Sequence, residues 1–390
     1  NGEIEAQTDA GSLAANIAID SKGHYVAALD GNRLDIARII PTSPLIGTNI
    51  TLHAEGDWGE NTRPTESKLP PPFTAKIRAD LTHTQLLDYE YEHITIDGDY
   101  TSRGLDADIT LTDPCGNLTL QATYDVSGRV PHYSVTLDAD SLDLHTFGLI
   151  DIHEGNTFST QLTADLRGND IDHIIGKIIV NDLTMHRPTD DYLIREIALY
   201  ASDPENKMLS LQADFMQATV RGAFTYRSLA NSLLEHLHHS LPTLGKNLQH
   251  HHEDSDNLCL INIGIHDAAP LQELLLQPVD LIGKAQLDLL INDPANELKL
   301  NASIPHIVYD GNTIKTISLE CHSLRQGLDL LAGATLYDNA NNAVTANIVT
   351  RAANDKLDLG ALWNSNPTGK FEGTFHTQAT FAIDDNDGSL

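Results

Sequence analysis

The sequence predicts a mostly all-β protein: an elongated, curled antiparallel β-sheet trough built from repeats, with one or two short amphipathic helices. Three observations predict this class. Short segments alternate apolar and polar residues, turn-forming residues separate these segments, and one stretch of sequence occurs twice. Alternation with a period of two is typical of strands with one buried face, and regularly spaced turns join such strands into a meandering sheet.

The duplicated stretch defines the repeat. His132–Leu144 reads HYSVTLDADSLDL and His24–Ile36 reads HYVAALDGNRLDI, so six positions are identical at a spacing of 108 residues. Upstream, Gly11 and Gly116 align at a spacing of 105 residues. Self-similarity at a fixed period indicates a repeat architecture, in which each unit buries its apolar face against its neighbours.

The repeat and the polar stretches between strands predict three units. They are the end of a first β-repeat unit at 1–60, a second β-repeat unit at 73–257 with a leucine helix at 228–241, and a third β-repeat unit at 258–390. The proline-rich stretch 60–72 and the acidic, His-rich stretch 250–257 mark the boundaries, because such compositions are typical of loops.

The strands are expected in this order. In the first unit they are Ile4–Thr8, Leu13–Asp20, Tyr25–Asp30 and Asn49–Gly56. The second unit opens with the clearest strand, Phe73–Leu81, in which every second residue is apolar. Asp followed by Gly or Pro is a typical turn former, and such pairs are expected between strands at Asp30-Gly31, Asp97-Gly98, Asp113-Pro114 and Asp293-Pro294.

Helices are predicted at two places. Ser228–Leu241 has a leucine at every fourth position from Leu229, starts at a natural N-cap and ends before Pro242. A shorter helix is predicted at Pro270–Leu276. Both are expected to lie across the opening of the trough or to cap its apolar lining.

Composition excludes several classes of protein. The chain has 55 acidic and 24 basic residues and a formal charge of −31, which repels phosphate backbones, so no nucleic acid partner is predicted. Three cysteines are too few for a disulfide framework or a zinc cage, although a bond between Cys259 and Cys321 stays open. No apolar run approaches the roughly 20 residues of a membrane-spanning helix.

The apolar face of the predicted sheet needs cover, and a second sheet, closure into a barrel or curling into a trough would each supply it. The trough is favoured because consecutive strands extend one sheet. An open apolar trough binds acyl chains, since each buried methylene contributes about 0.8 kcal/mol with little demand for particular side chains. The residues predicted to line this lipid groove are Phe73, Ile77, Leu118, Leu120, Tyr133, Val135, Leu137, Leu162, Leu166, Leu209, Leu211, Phe215, Leu287, Leu289, Leu298 and Leu300.

Histidines are the strongest candidates for a metal site. His236, His238 and His239 precede His250–His252 and three acidic residues. They form no ligand set with a fixed spacing, so they are expected on the polar face of the helix and in a solvated loop, and no metal or cofactor is predicted. Motifs for a nucleophile, a metalloprotease or a phosphate loop are missing from the sequence, so the chain is not predicted to be an enzyme.

Two segments carry a resemblance to a known family. Pro131–Phe147 reads P-H-Y-x-V-x-L-D-A-D-x-L-D-L-x-x-F, and Leu209–Leu229 reads L-x-L-Q-A-D-F-x-x-A-x-V-R-G-A-F-T-Y-x-x-L. This pattern resembles the AsmA-like superfamily and, within it, the TamB translocation-and-assembly-module proteins of diderm bacteria. The resemblance implies a periplasmic β-trough between the inner and outer membranes, part of a longer protein anchored in the inner membrane outside this sequence.

The same resemblance implies the partners. A phospholipid or another acyl-chain lipid would be shielded on its way between the two membranes, in support of outer-membrane biogenesis and protein secretion. An outer-membrane β-barrel protein would be a second partner. Two alternatives stay open: an extracellular structural or adhesive β-repeat protein with a closed sandwich core, and a chaperone-like surface that pairs unfolded outer-membrane strands at the sheet edges.

Overall fold

The computed structural model describes most of the 390 residues. Outside its description lie residues 40–42, 44–46, 59–72, 87–88, 151–153, 203–206, 230, 233–235, 237–239, 242, 244–255, 276–278, 310–311, 325–326, 338–341, 367–370 and 382–390. Strands make up 73 % of the structure. The predicted class, a mostly β protein built as an open antiparallel sheet with short helices, is confirmed.

The chain forms two compact units. Unit 1 comprises Asn1–Asn169 and Gly176–Ile197, and unit 2 comprises Asp170–Ile175 and Ala198–Leu390. The three repeat units that the sequence predicts are a division by pattern and stay a prediction. Within unit 1 the strands on either side of the proline-rich stretch pair with each other, so the ladder continues across that predicted boundary.

Unit 1 is a meander in which each strand from β1 to β10 pairs antiparallel with the next. The strands are β1 Gly2–Thr8, β2 Gly11–Ile19, β3 His24–Leu34, β4 Thr48–Asp57, β5 Ala75–Leu86, β6 Tyr89–Thr101, β7 Gly104–Asp113, β8 Gly116–Asp125, β9 His132–Leu142 and β10 Thr157–Arg167. Helix α1, Ile36–Ile39, follows β3. Within the described residues β1 and β10 do not pair with each other, so this ladder is open.

Two further strands, β11 Ile175–His186 and β12 Asp191–Ser202, contain the residues at which the chain passes from one unit to the other. The strands of unit 2 are β13 Met208–Ala213, β14 Met216–Ala223, β15 Leu258–Ile265, β16 Val279–Leu281, β17 Ala285–Asn292, β18 Glu297–Tyr309, β19 Asn312–Leu324, β20 Gly327–Tyr337, β21 Ala343–Ala353, β22 Lys356–Asn366 and β23 Glu372–Thr380.

Unit 2 is also an antiparallel meander, with one short strand set aside. Strand β15 pairs with β17, while β16 pairs with β18 next to the end of β17. Helix α2, Ala269–Leu275, follows β15 and matches the predicted short helix to within one residue at each end. Within the predicted leucine helix, residues 229, 231, 232, 236 and 240 are helical. Residues 230, 233–235 and 237–239 lie outside the described residues.

The duplicated stretch forms the same structure twice. Arg33 and Ser141 both have a left-handed backbone, with φ of 50° and 55°. The carboxylates of Asp35 and Asp143, two residues later, each accept a hydrogen bond from the backbone N–H three positions further on, at 3.1 and 2.9 Å. The repeated Leu-Asp pair is therefore a strand ending followed by a side-chain cap.

The aligned glycines, Gly11 and Gly116, belong to the same repeated motif. A Cβ atom on Gly11 would lie 2.4 Å from the carbonyl oxygen of Arg33, and one on Gly116 would lie 2.7 Å from that of Ser141. Both glycines also have positive φ, at 107° and 131°. Only glycine fits where the left-handed residue of the next strand comes this close.

Two turn predictions are wrong. Asp97-Gly98 lies inside β6 and Asp30-Gly31 inside β3. In both pairs the glycine faces the apolar side of the sheet, where it sits in register with apolar residues of the neighbouring strands. Pairing on both sides therefore overrides the local turn preference. Asp113-Pro114 and Asp293-Pro294 do end strands, as predicted.

Candidate functional site

The register of unit 1 places apolar residues in four parallel rows that cross the strands on one face. The second row, for example, contains Leu29, Leu52, Ala79, Ile96, Ile109, Leu120, Leu137 and Leu162. Ten strands spaced by about 4.8 Å span about 43 Å, and four rows of alternate residues span about 20 Å. Most of these side chains are half-buried, so we call this surface the apolar face of unit 1.

The opposite face of unit 1 is polar and carries cross-strand ion pairs. Arg78 Nε lies 3.1 Å from Asp97 Oδ2, and His93 Nε2 lies 2.9 Å from Asp80 Oδ2. These side chains are exposed to solvent, so each pair contributes little to stability. The sheet is therefore two-faced, with charge on one side and aliphatic residues on the other.

One edge of the apolar face is closed. The chain is buried there at Leu34 in the end of β3, at Phe147 after β9 and at Phe158 in the start of β10, which are 4, 4 and 6 % exposed. Phe147 packs on Tyr89 and Tyr91, with ring centroids 5.0 and 5.3 Å apart. We call this edge the closed rim.

A carboxylate fixes the aromatic residues of the closed rim. Asp113 is 7 % exposed and accepts hydrogen bonds from the Tyr89 hydroxyl at 2.5 Å and from the Glu92 backbone N–H at 2.9 Å. Burial, together with this hydrogen bond to Asp113, raises the pKa of Tyr89 well above its usual range. Hydrogen bonds from Thr146 hold the pKa of Asp143 below its ordinary value, although burial alone would raise it.

The other edge of the apolar face is open. The fourth row, at the β2–β3, β6–β7 and β8–β9 turns, contains Tyr25, Tyr100, Leu105, Tyr124 and Tyr133. Tyr100, Leu105 and Tyr124 are 43, 41 and 38 % exposed, whereas Leu111 and Ala139 in the first row are 8 and 4 % exposed. Tyr25, on which Phe73 stacks, is 8 % exposed, so the open part of this edge lies at strands β6 to β9. We call this edge the tyrosine rim.

Aromatic stacking organises the tyrosine rim. Phe73 stacks on Tyr25 with ring centroids 5.6 Å apart, and Trp58 meets the same Phe73 edge-on at 5.7 Å. Tyr124 and Tyr133 stack at 5.0 Å. Tyrosine and tryptophan combine an apolar ring with a polar tip and are enriched where one side of a surface is apolar and the other is wet.

Unit 2 has the same kind of apolar rows, but part of them forms a closed core. Ile291, Cys259 and Leu298 are 0, 2 and 6 % exposed and pack with Leu289, Cys321 and Phe224. Burial, with the Asp293 carboxylate nearby, raises the pKa of the Cys259 thiol to about 11. Cys259 and Cys321 are both free thiols.

The described residues of 224–241, which we call the covering segment, close this core through polar contacts. Ser232 Oγ donates to Asp293 Oδ2 at 2.8 Å, and Ser228 Oγ donates to Asn257 Oδ1 at 2.9 Å. Asn257 is 2 % exposed and its backbone N–H donates to the same Asp293 oxygen at 2.9 Å. Asn257 was expected in a solvated loop, and that prediction is wrong because it links the segment to the strand end.

His236 lies at the centre of these contacts. Its Nε2 is 3.3 Å from Asp293 Oδ1 and its Nδ1 is 3.3 Å from Ser323 Oγ. His236 is 3 % exposed, so the expectation that it sits on a solvated polar face is wrong. Ser323 is 4 % exposed and accepts the Leu298 N–H at 2.7 Å. Ser323, His236 and Asp293 therefore form a buried polar link between the covering segment and the strand ends.

Lys207 is a second buried polar group of unit 2. Its Nζ donates to the Phe224 carbonyl oxygen at 3.0 Å and lies 4.1 Å from the centroid of the Tyr226 ring. Burial lowers the pKa of Lys207, with the Asp172 carboxylate opposing that effect. Through its hydrogen bond to the Phe224 carbonyl oxygen, Lys207 anchors the start of the covering segment.

The predicted groove residues fall into three groups. Ile77, Leu118, Leu120, Tyr133, Val135, Leu137, Leu162 and Leu166 share the apolar face of unit 1. Leu209, Leu211, Leu287, Leu289, Leu298 and Leu300 share one face in unit 2, where Leu289 and Leu298 belong to the closed core. Phe73 lies beside β5 on Tyr25, and Phe215 is buried in the turn between β13 and β14.

The sequence did not predict the two rims or the buried polar link of His236 with Asp293 and Ser323. The signal for the polar contacts of the covering segment was a polar residue at every fourth position, namely Ser228, Ser232, His236 and Ser240. That stripe was as regular as the leucine stripe, but hydrophobicity alone favoured the leucines. No group of three metal-ligating side chains lies together in the described part of the chain. His238, His239 and His250–His252 lie outside it.

None of the described helices is long and apolar enough to cross a membrane. Searches of protein-family models, of curated proteins and of solved structures found no match to this chain. The resemblance to the AsmA-like superfamily therefore stays a prediction from the sequence.

Proposed function

We propose that this chain is a segment of a periplasmic lipid-conducting trough that shields the acyl chains of phospholipids between the inner and outer membranes. The observation that carries the proposal is the apolar face of unit 1: four rows of apolar side chains, most of them half-buried beyond the covered first row, with a polar face behind them. Contiguous apolar surface of this kind marks a binding site on a soluble protein. The parent protein would be anchored in the inner membrane and would support outer-membrane biogenesis.

The chemistry of such a site is simple. Each methylene that leaves water for the apolar face contributes about 0.8 kcal/mol, whichever row it lies on. Because the rows are uniform along the sheet, a chain that shifts from one strand pair to the next exchanges equivalent contacts. A lipid that binds equally well at many positions along the sheet can move along it, so this surface suits the conduction of lipids rather than their storage.

The experiment compares two substitutions on the same strand. Leu137 and Thr136 are neighbours in β9, but Leu137 lies in the second apolar row and Thr136 on the polar face. Leu137→Asp is expected to abolish phospholipid uptake, because an ionised carboxylate in the groove has no partner. Thr136→Asp adds the same charge to the solvated face and is expected to leave uptake unchanged.

Uptake is measured by native mass spectrometry after incubation with phospholipid vesicles, followed by extraction and identification of the bound lipid. Circular dichroism checks that both variants keep their β-sheet. A wild-type chain that stays lipid-free, or equal uptake by the two variants, would contradict the proposal. The first of these results would favour the structural repeat protein.

A further inference from the structure

We propose that phospholipids bind unit 1 with their phosphate-bearing headgroups at the tyrosine rim and their acyl chains along the strands, directed towards the closed rim. This inference rests on the proposed function and deepens it, because it names the substrate class as lipids with an anionic headgroup. Three observations support it: the width of the apolar face, its gradient of burial and the distribution of cations.

The width fits one acyl chain. The apolar face measures about 20 Å from rim to rim. The hydrocarbon core of a bilayer is about 30 Å thick, so one leaflet contributes about 15 Å. A chain laid along the strands therefore reaches from one rim nearly to the other, and neighbouring chains lie side by side across the sheet.

The difference in burial between the two rims indicates at which rim the headgroup lies. The gradient is present at strands β6 to β9: side chains at the closed rim are buried, whereas Tyr100 and Tyr124 at the tyrosine rim are 43 and 38 % exposed. A polar headgroup cannot enter the closed rim without losing its water, which is costly for an ion. At the tyrosine rim it stays solvated while the acyl chain is covered.

Cations distinguish the connections at the two rims. Three of the four described turns at this end of the strands carry one, namely Lys22 in β2–β3, Arg103 in β6–β7 and Arg129 in β8–β9. The β2–β3 turn also carries Asp20, and the β10–β11 turn carries Asp170 and Asp172 instead of a cation. All three are exposed, and within the described residues none is held in an ion pair. This differs from Arg78, which pairs across strands on the polar face.

The connections at the closed rim are acidic. Their described residues include Asp9, Asp35, Asp143 and Glu154, and their single Lys or Arg is Arg38, whose Nε lies 3.0 Å from Asp35 Oδ2. In a chain of formal charge −31, Lys22, Arg103 and Arg129 are exposed at one rim and lie outside the ion pairs of the described residues, so they are the groups there that complement a phosphate.

The first test reverses the charge of the rim. Lys22→Glu, Arg103→Glu and Arg129→Glu are combined in one full-length variant. The control combines Arg33→Glu, Arg38→Glu and Arg78→Glu, which changes the net charge equally near the closed rim and on the polar face. Affinities for phosphatidylglycerol and for diacylglycerol are measured, with the two lipids carrying the same acyl chains.

The rim variant is expected to bind phosphatidylglycerol about tenfold more weakly than the control, with equal affinity for diacylglycerol. Salt above physiological strength should narrow that difference. Equal phosphatidylglycerol affinity in the two variants would overturn the inference while leaving the proposed function intact. Failure of the wild type to bind either lipid would overturn both.

The second test locates the headgroup directly. Trp58 lies at the tyrosine rim and is 60 % exposed, and Trp363→Phe leaves it as the only tryptophan. A second protein, with Trp58→Phe, Trp363→Phe and Leu149→Trp, carries its reporter beyond the closed rim. Phospholipids are labelled with a nitroxide either on the headgroup or at the end of the acyl chain.

The headgroup nitroxide is expected to quench Trp58 more strongly than the chain-end nitroxide, and the ranking should reverse for the tryptophan at position 149. The opposite ranking at both reporters would show that the lipids lie the other way round. Equal quenching by both labels at both positions would show chains that lie across the strands. Either result would overturn the inference.

Discussion

In unit 1 most side chains of the apolar rows beyond the closed rim are half-buried, whereas in unit 2 the corresponding face holds a closed core around Ile291 and Cys259. The strands of the two units have the same alternation and the same antiparallel pairing, so the strands do not cause the difference. The difference in burial comes from the segments that connect the strands. Residues 143–150 cover one edge in unit 1, while residues 224–241 lay Phe224 and Leu229 on the rows of unit 2. Identical sheets thus become a groove or a core according to their loops.

The largest expected effect contrasts a residue of each face. Ile291→Ala should lower the free energy of unfolding of unit 2 by about 3 kcal/mol, because Ile291 is 0 % exposed and its removal leaves a cavity. Leu120→Ala should cost unit 1 only about 1 kcal/mol, since Leu120 is half-buried and solvent or lipid fills the space.

Each unit holds one of the two tryptophans, so urea unfolding can be followed separately. Trp58 reports on unit 1 in a Trp363→Phe background, and Trp363 reports on unit 2 in a Trp58→Phe background. Equal losses for Ile291→Ala and Leu120→Ala would mean that the apolar face of unit 1 is as closed as the core of unit 2.

A medium effect concerns the pH dependence of unit 2. The pKa of Cys259 is about 11 in the folded chain, above its ordinary value of 9.0. The neutral thiol therefore stabilises the fold below pH 9, and this contribution, about 2 kcal/mol, is lost as the pH rises from 9 to 11. Cys259→Ala should flatten the urea-unfolding profile of unit 2 over that range.

Cys115→Ala is the matched control, because Cys115 lies in unit 1 and is half-buried. It should leave the alkaline loss of stability in unit 2 unchanged. If Cys259→Ala and the unsubstituted chain lose stability in parallel between pH 9 and 11, the thiol of Cys259 is not as enclosed as its burial implies.

The smallest effect tests the repeat itself. Asp35→Ala and Asp143→Ala each remove a side-chain cap and should each cost unit 1 about 1 kcal/mol. Asp106→Ala, an exposed strand residue on the polar face, should change stability by less than about 0.5 kcal/mol. Unequal losses at Asp35 and Asp143, measured by urea unfolding through Trp58, would show that the two copies of the repeat are not equivalent.

Much of the fold could be predicted from the sequence because its signals are local. Period-two alternation located Phe73–Leu81 and the four strands before it, and the duplicated stretch marked a motif that the structure repeats residue by residue. The apolar face followed from the same alternation. Eight of the predicted groove residues lie on it in unit 1.

What could not be predicted depends on partners far apart in the chain. Whether Leu298 lines a groove or fills a core depends on Phe224 and the covering segment, 74 residues earlier in the sequence. His236 reads as a solvated residue until Asp293 and Ser323 are brought beside it. Asp97-Gly98 reads as a turn until two neighbouring strands pair with it.

The glycine and left-handed residue that recur at Gly11 with Arg33 and at Gly116 with Ser141 sit near the closed rim, at the opposite end of the strands from the turns whose lengths differ between the two copies. The three residues by which the copies differ fall in the β8–β9 turn at the tyrosine rim. The width of the sheet along its strands and its extent across them can therefore change independently. Strand length and the glycine contact set the width of the sheet, while each added hairpin extends the sheet by about 10 Å. A gene that duplicates hairpins can thus adjust the reach of the protein without redesigning its interior.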